Sequence, residues 1–147
     1  MKKSSFVLCG LILALSGCSG VSNDCSPDNF VRALKPEQQF KRILTGVVGR
    51  TQTFAAHNAS DSNFAEKLSS AVDTVANRHS ERWIGNMVSS WSKLSTEDMK
   101  NACAALQSRD EAAFTVYASK VAADIQTLNE PLLKQSGVEV LQITEGT

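Results

Sequence analysis

Between Phe64 and Leu94 apolar side chains return every three or four positions: Phe64, Leu68, Ala71, Val72, Val75, Ala76, Trp83, Met87, Trp91 and Leu94. In an α-helix that spacing gathers them on one face, whereas a strand would need alternation, so the longest patterned stretch is an amphipathic helix. His79 and Ser90 fall on the same stripe, and Ile84 and Val88 widen it near Gly85, where a bend or a second contact face could begin. A helix that is apolar on one side has to bury that side against another element.

The rest of the chain supplies such elements. Ser26-Pro27-Asp28 has the order of a helix start, with Ser as N-cap, Pro at the first helical position and an acid in the first turn. The short helix it opens runs to about Leu34 and is stopped or bent by Pro36. From Pro36, a second stripe of Phe40, Ile43, Leu44, Val47, Val48, Thr51, Phe54 and Ala55 predicts a helix that ends in the turn formers His57 to Ser62. Gly46 and Gly49 inside it each lower helix propensity by roughly 1 kcal/mol and suit close packing. Ser95-Thr96-Glu97-Asp98 offers a capping box, ahead of Met99, Ala102, Cys103 and Leu106. Ser108-Arg109-Asp110-Glu111 offers another of the same form, ahead of Phe114, Tyr117, Ala118, Val121, Ala122, Ile125 and Leu128. Pro131 should end or kink that last helix. Past Gly137, the stretch Val138 to Thr144 alternates and is rich in β-branched residues, so it is expected to be an extended tail or a lone strand. The pattern predicts an all-α bundle of four or five helices over residues 27–136, with an extended C-terminal tail at 137–147. No internal repeat or shift of composition divides it, so one domain is expected.

The N-terminal residues carry a different signal. Lys2 and Lys3 precede the apolar run Phe6 to Leu15, the layout of an export signal. A run of about ten residues is well short of the roughly twenty that a spanning helix needs. Leu15-Ser16-Gly17-Cys18 resembles the lipobox of bacterial lipoproteins. The resemblance covers residues 1–20. It implies diacylglyceryl attachment to the Cys18 sulfur, cleavage just before Cys18, a signal peptide at 1–17 and a lipidated tether at 18–26. Small residues ahead of the cysteine admit the chain to the peptidase, and only a thiol can form the thioether. Each buried CH₂ adds about 0.8 kcal/mol, so several acyl chains together anchor stably. With Ser in place of Asp at position 19, the resemblance implies the outer membrane, facing the periplasm.

With residues 1–17 removed, 130 residues remain, enough for one domain. The chain has 15 basic and 15 acidic side chains, and loss of Lys2 and Lys3 makes the mature charge about −2. A near-neutral chain without a basic cluster argues against nucleic acid as a partner and against electrostatic membrane binding. Of the four cysteines, Cys9 would leave with the signal and Cys18 would carry lipid. Cys25 and Cys103 are left as an even pair in an oxidising compartment, and a disulfide between them is expected.

Candidate chemistry is sparse. His79 sits on the apolar stripe, which suits a hydrogen-bonded histidine at the edge of the core, and His57 lies among turn residues. His79-Ser80-Glu81 turns the acid to another helical face. No His-Glu-x-x-His, Gly-x-Ser-x-Gly or phosphate loop occurs. Asp110 and Glu111 suit a helix start, where the dipole favours negative charge. Neither a metal nor a cofactor is implied, and the chain is expected to be non-catalytic. Trp83, Met87 and Trp91, four apart on one face, are either the thick part of the core or a contact site rimmed by Arg78, Glu81 and Arg82. The reading is a lipid-anchored protein that binds another envelope protein as a scaffold or assembly factor. One alternative is a periplasmic inhibitor or immunity protein against a toxic cell-wall enzyme. Another is a carrier of an apolar ligand, in a cavity lined by Phe40, Val47, Phe54, Leu68 and Phe114.

Overall fold

The computed structural model describes residues 24–51, 54–56 and 63–146. Among them lie five helices: α1 (Pro27–Ala33), α2 (Pro36–Val48), α3 (Phe64–Trp91), α4 (Thr96–Ser108) and α5 (Glu111–Glu145). A further helical turn occupies 54–56. The expected all-α bundle is the observed fold.

The starts follow the local chemistry. Ser26 holds extended backbone ahead of Pro27, and α1 stops before Lys35, whose left-handed backbone turns the chain into Pro36. Gln39, buried at the start of α2, donates to the Leu34 carbonyl and closes that corner. Ser95 Oγ accepts from the Asp98 N–H at 3.0 Å, the cap expected for α4. At α5 the capping residue is Asp110, which accepts from the Ala113 N–H at 2.9 Å. Ser108, expected to take that part, is instead the last residue of α4 and donates to the carbonyls of Ala104 and Ala105.

Two expected boundaries are corrected. The stripe beginning at Pro36 suggested one helix to Ala55, but α2 ends at Val48. Beyond Gly49, Thr51 Oγ1 donates to the Val48 carbonyl and accepts from the Phe54 N–H, so a side chain takes over backbone bonding that a continuing helix would use. The second correction is larger. The extended C-terminal tail does not exist as such among the described residues: α5 runs through Pro131 to Glu145. Pro131 is exposed, so the carbonyl deprived of its N–H partner, that of Thr127, lies on the solvent side. Past it, Leu132, Ser136, Val140 and Thr144 are buried at four-residue spacing. Val138 is 55% exposed while Val140 is fully buried, a contrast a helix produces and a strand, with both on one face, does not.

The helices α3 and α5 form the largest contact and run antiparallel, because the partners on α5 fall in number as those on α3 rise. His79 meets Glu139, Asn86 meets Leu128 and Asn129, and Ser90 and Lys93 meet Asp124. Against this pair, α2 lies on α3, with Phe40 stacked on Trp83 at 4.7 Å. The helix α4 lies on α5, where Lys120 reaches Asp98 at 2.8 Å. Phe30 of α1 packs edge-on to Trp91 at 4.6 Å and beside Phe114 at 6.2 Å, which brings three helices to one aromatic centre. The Cys25–Cys103 disulfide, with Cα atoms 5.9 Å apart, ties the residues before α1 to the middle of α4.

Candidate functional site

The site suggested by Trp83, Met87 and Trp91 is corrected by their burial. They are 3%, 1% and 0% exposed, so the stripe at four-residue spacing is core and offers no face to a partner. The residues meant to rim it stand outside that core. Arg78 and Arg82 are exposed, and Glu81 takes a 3.4 Å contact from Arg32 of α1. Arg78 is engaged in a cluster of its own.

That cluster is centred on Glu139. Arg78 Nη1 donates to Oε2 at 2.9 Å, and Gln135 Nε2, one turn away on α5, donates to Oε1 at 3.0 Å. His79 Nε2 lies 3.1 Å from each carboxylate oxygen. An ionised carboxylate only accepts, so Nε2 carries the proton. Burial alone would raise the Glu139 carboxyl, but the hydrogen bonds from His79, Gln135 and Arg78 outweigh it and hold the group below the ordinary 4.5. With its lone pairs committed to three donors, this carboxylate is poorly suited to proton transfer near neutral pH. It suits a cross-link between α3 and α5, and His79 is the hydrogen-bonded histidine at the core edge that its stripe position predicts.

Two further groups continue the line. Asn86 Nδ2 donates to the Leu128 carbonyl at 3.1 Å and to Asn129 Oδ1 at 2.8 Å. Asp124 accepts from Lys93 at 2.6 Å and from Ser90 Oγ at 2.7 Å, and the Lys93 hydrogen bond, helped by that from Ser90, lowers its pKa. His79, Asn86 and Ser90 of α3, with Lys93 just past its end, form a polar file facing α5. Polar groups in such a file penalise any sliding of one helix on the other.

Cys18 and His57 lie outside the described residues, as do residues 1–17 and most of the tether. Among the described residues, no cluster of three or more His, Cys, Asp or Glu side chains is placed to hold a metal ion. Among the same residues, no helix is long and apolar enough to cross a membrane. Three of the five residues expected to line an apolar cavity pack on rings outside that set. Phe40 stacks on Trp83, Phe114 packs beside Phe30 and Trp91, Phe54 meets Phe64 edge-on, and Val47 is 40% exposed. Leu68 lines an open groove of about 290 Å³ between α2 and α3, together with Lys41, Arg42 and Asp73. The Lys41–Asp73 ion pair, at 2.8 Å, joins α2 to α3 at this groove.

What the pattern misses is Glu139 and its neighbours, because the alternation of Val138 to Thr144 reads as an extended tail. The signal was present in the four-residue spacing of Gln135 and Glu139 and in the buried file Leu132, Ser136, Val140 and Thr144. The outward surface there also holds Val138, and Val47 lies 3.7 Å from where a side chain on the neighbouring Gly137 would begin. No family model matches the chain, and no curated protein or solved structure is significantly similar to it.

Proposed function

We propose that this chain is a lipid-anchored protein of the bacterial envelope, acting as a non-catalytic module that binds another envelope protein. The observation that carries the reading is the Cys25–Cys103 disulfide, seven residues beyond Cys18 of Leu15-Ser16-Gly17-Cys18. A structural disulfide suits an oxidising compartment outside the cytosol, which is where the lipobox resemblance would send the chain. Short polar residues between Cys18 and Cys25 would then hold the bundle close to the outer membrane, on its periplasmic side.

Binding rather than catalysis is supported by what the polar groups already do. Glu139, Asp124 and Asn86 are consumed in joining α3 to α5. With the tryptophans buried, two of the three exposed valines among the described residues, Val47 and Val138, support a contact surface elsewhere. Val47 and Val138 stand on α2 and α5, with Gly137 beside both, and Arg78 of α3 reaches the same stretch through its bond to Glu139. Changing Cys18 to Ser should abolish labelling by radioactive palmitate and release the protein from membranes. Normal labelling would overturn the anchor. Val47→Asp and Val138→Asp should leave helicity intact and abolish a specific cross-link to an envelope protein that the unaltered chain forms. Undiminished cross-linking would overturn the contact surface.

A further inference from the structure

We infer that residues 132–145, the part of α5 beyond Pro131, open from α2 and α3 as a separate unit while the rest of the bundle stays folded. Four observations converge on this, and none depends on the lipid or on a partner.

The joint comes first. Pro131 has no N–H to give the Thr127 carbonyl, so the two parts of α5 are coupled by fewer hydrogen bonds at this point than anywhere else along the helix. Pro inside a helix is one of the few recurrent causes of a bend. The arm itself is the second observation. Ser136, Gly137, Val138, Val140, Ile143 and Thr144 are weak helix formers, and the same stretch alternates like a strand, so local preference and observed helix disagree. Third, the seam around the arm is imperfectly paired. Asn129 Nδ2, Ser136 Oγ and Trp83 Nε1 are three of the four buried side-chain groups that meet no hydrogen-bond partner among the described residues, and the fourth, Trp91 Nε1, lies at the other end. Solvent reaches such groups when the arm lifts, and their hydration offsets part of the free energy of exposing its apolar side.

The opposite end of the bundle supplies the fourth observation, by contrast. There the disulfide joins α4 to the residues before α1, Ser95 and Asp110 cap α4 and α5, and Lys120 pairs with Asp98. Phe30, Trp91 and Phe114 meet at the same end. Stability is therefore polarised along the long axis. The closed arm is the major state because Leu132 and Val140 are fully buried and Glu139 holds Arg78 and His79. Opening breaks those interactions together, since all of them lie beyond the same joint, and local opening of contiguous units below the global barrier is how such polarity shows itself.

Hydrogen exchange of the full chain with its disulfide intact tests this. Amides of 132–145 should exchange as one group, at least about tenfold faster than those of 114–128. Gly137→Ala should slow that group alone by about fivefold, the equivalent of the Gly-to-Ala difference in helix propensity. The added methyl meets only Val47 Cγ1, at 3.7 Å, an ordinary contact. Pro131→Ala should slow the same group by restoring the missing donor. A common rate for 132–145 and 114–128 would overturn the inference. So would a smooth gradient of exchange from Glu145 inward with no step at Pro131. The pattern in the unaltered protein decides the matter even if a variant fails to fold.

Discussion

Among the described residues, Lys35 and Arg109 hold left-handed backbone without being glycine, at φ of 53° and 58°. Arg109 follows α4, where its N–H bonds the Leu106 carbonyl and the next N–H, of Asp110, reaches back to Ala105. Glycine is the usual residue in that position, since a Cβ there crowds the carbonyl. Arg109→Gly should therefore raise stability by up to about 1 kcal/mol, read as a higher urea midpoint at unchanged slope. Trp83→Ala should do the reverse and cost about 3–5 kcal/mol, as for other large core aromatics. A stability change within experimental error would restore the contact-face reading that burial removes. Glu139 makes a prediction in pH. Its carboxyl titrates below 4.5 when folded, so its stabilising effect is complete above the unfolded value and is lost as pH falls through the lower folded one. Thermal denaturation from pH 6 down to pH 3 should show this loss, and Glu139→Gln should flatten that part of the profile.

At the scale of elements, capping residues and apolar spacing carried most of the information. Ser95 through Asp98 marks the start of α4 because the Ser95 hydroxyl satisfies a free N–H there, whereas Ser26 makes no side-chain cap and the start of α1 is marked by Pro27 at its first position. Ser95→Ala should cost about 1 kcal/mol, measurable by chemical denaturation. Arg109 shows where that legibility ends: two caps, Ser108 and Asp110, were available two residues apart, and the choice was made by the left-handed turn between them. The C-terminal half of α5 was illegible for a different reason. Val138, Val140 and Thr144 satisfy a period of two as well as they satisfy a longer one, and the deciding contacts come from α2 and α3, more than sixty residues away. The Glu139 cluster was hidden with it, because its members come from two helices, Arg78 and His79 from α3 and Gln135 and Glu139 from α5. His79 was readable, since its place on the stripe already implied a partner across a helix interface.

For the whole molecule, the disulfide sets a contribution of the same order as that of a large core aromatic. Closing a loop between positions 78 apart lowers unfolded-chain entropy by about 4.5 kcal/mol. Cys103→Ala should lower stability by up to this amount in a denaturant titration, while leaving helix content by circular dichroism unchanged below the transition. A smaller loss would mean that α1 packs through Phe30 and Val31 without help from the bond. The same bond decides how the chain behaves toward proteases. It encloses α1, α2, α3 and the first half of α4, so a single cut anywhere between residues 25 and 103 opens a ring without freeing a fragment. A nicked molecule would keep its full mass on a non-reducing gel and fall into two pieces only when reduced, so that damage to the backbone would go unseen until the cysteines are.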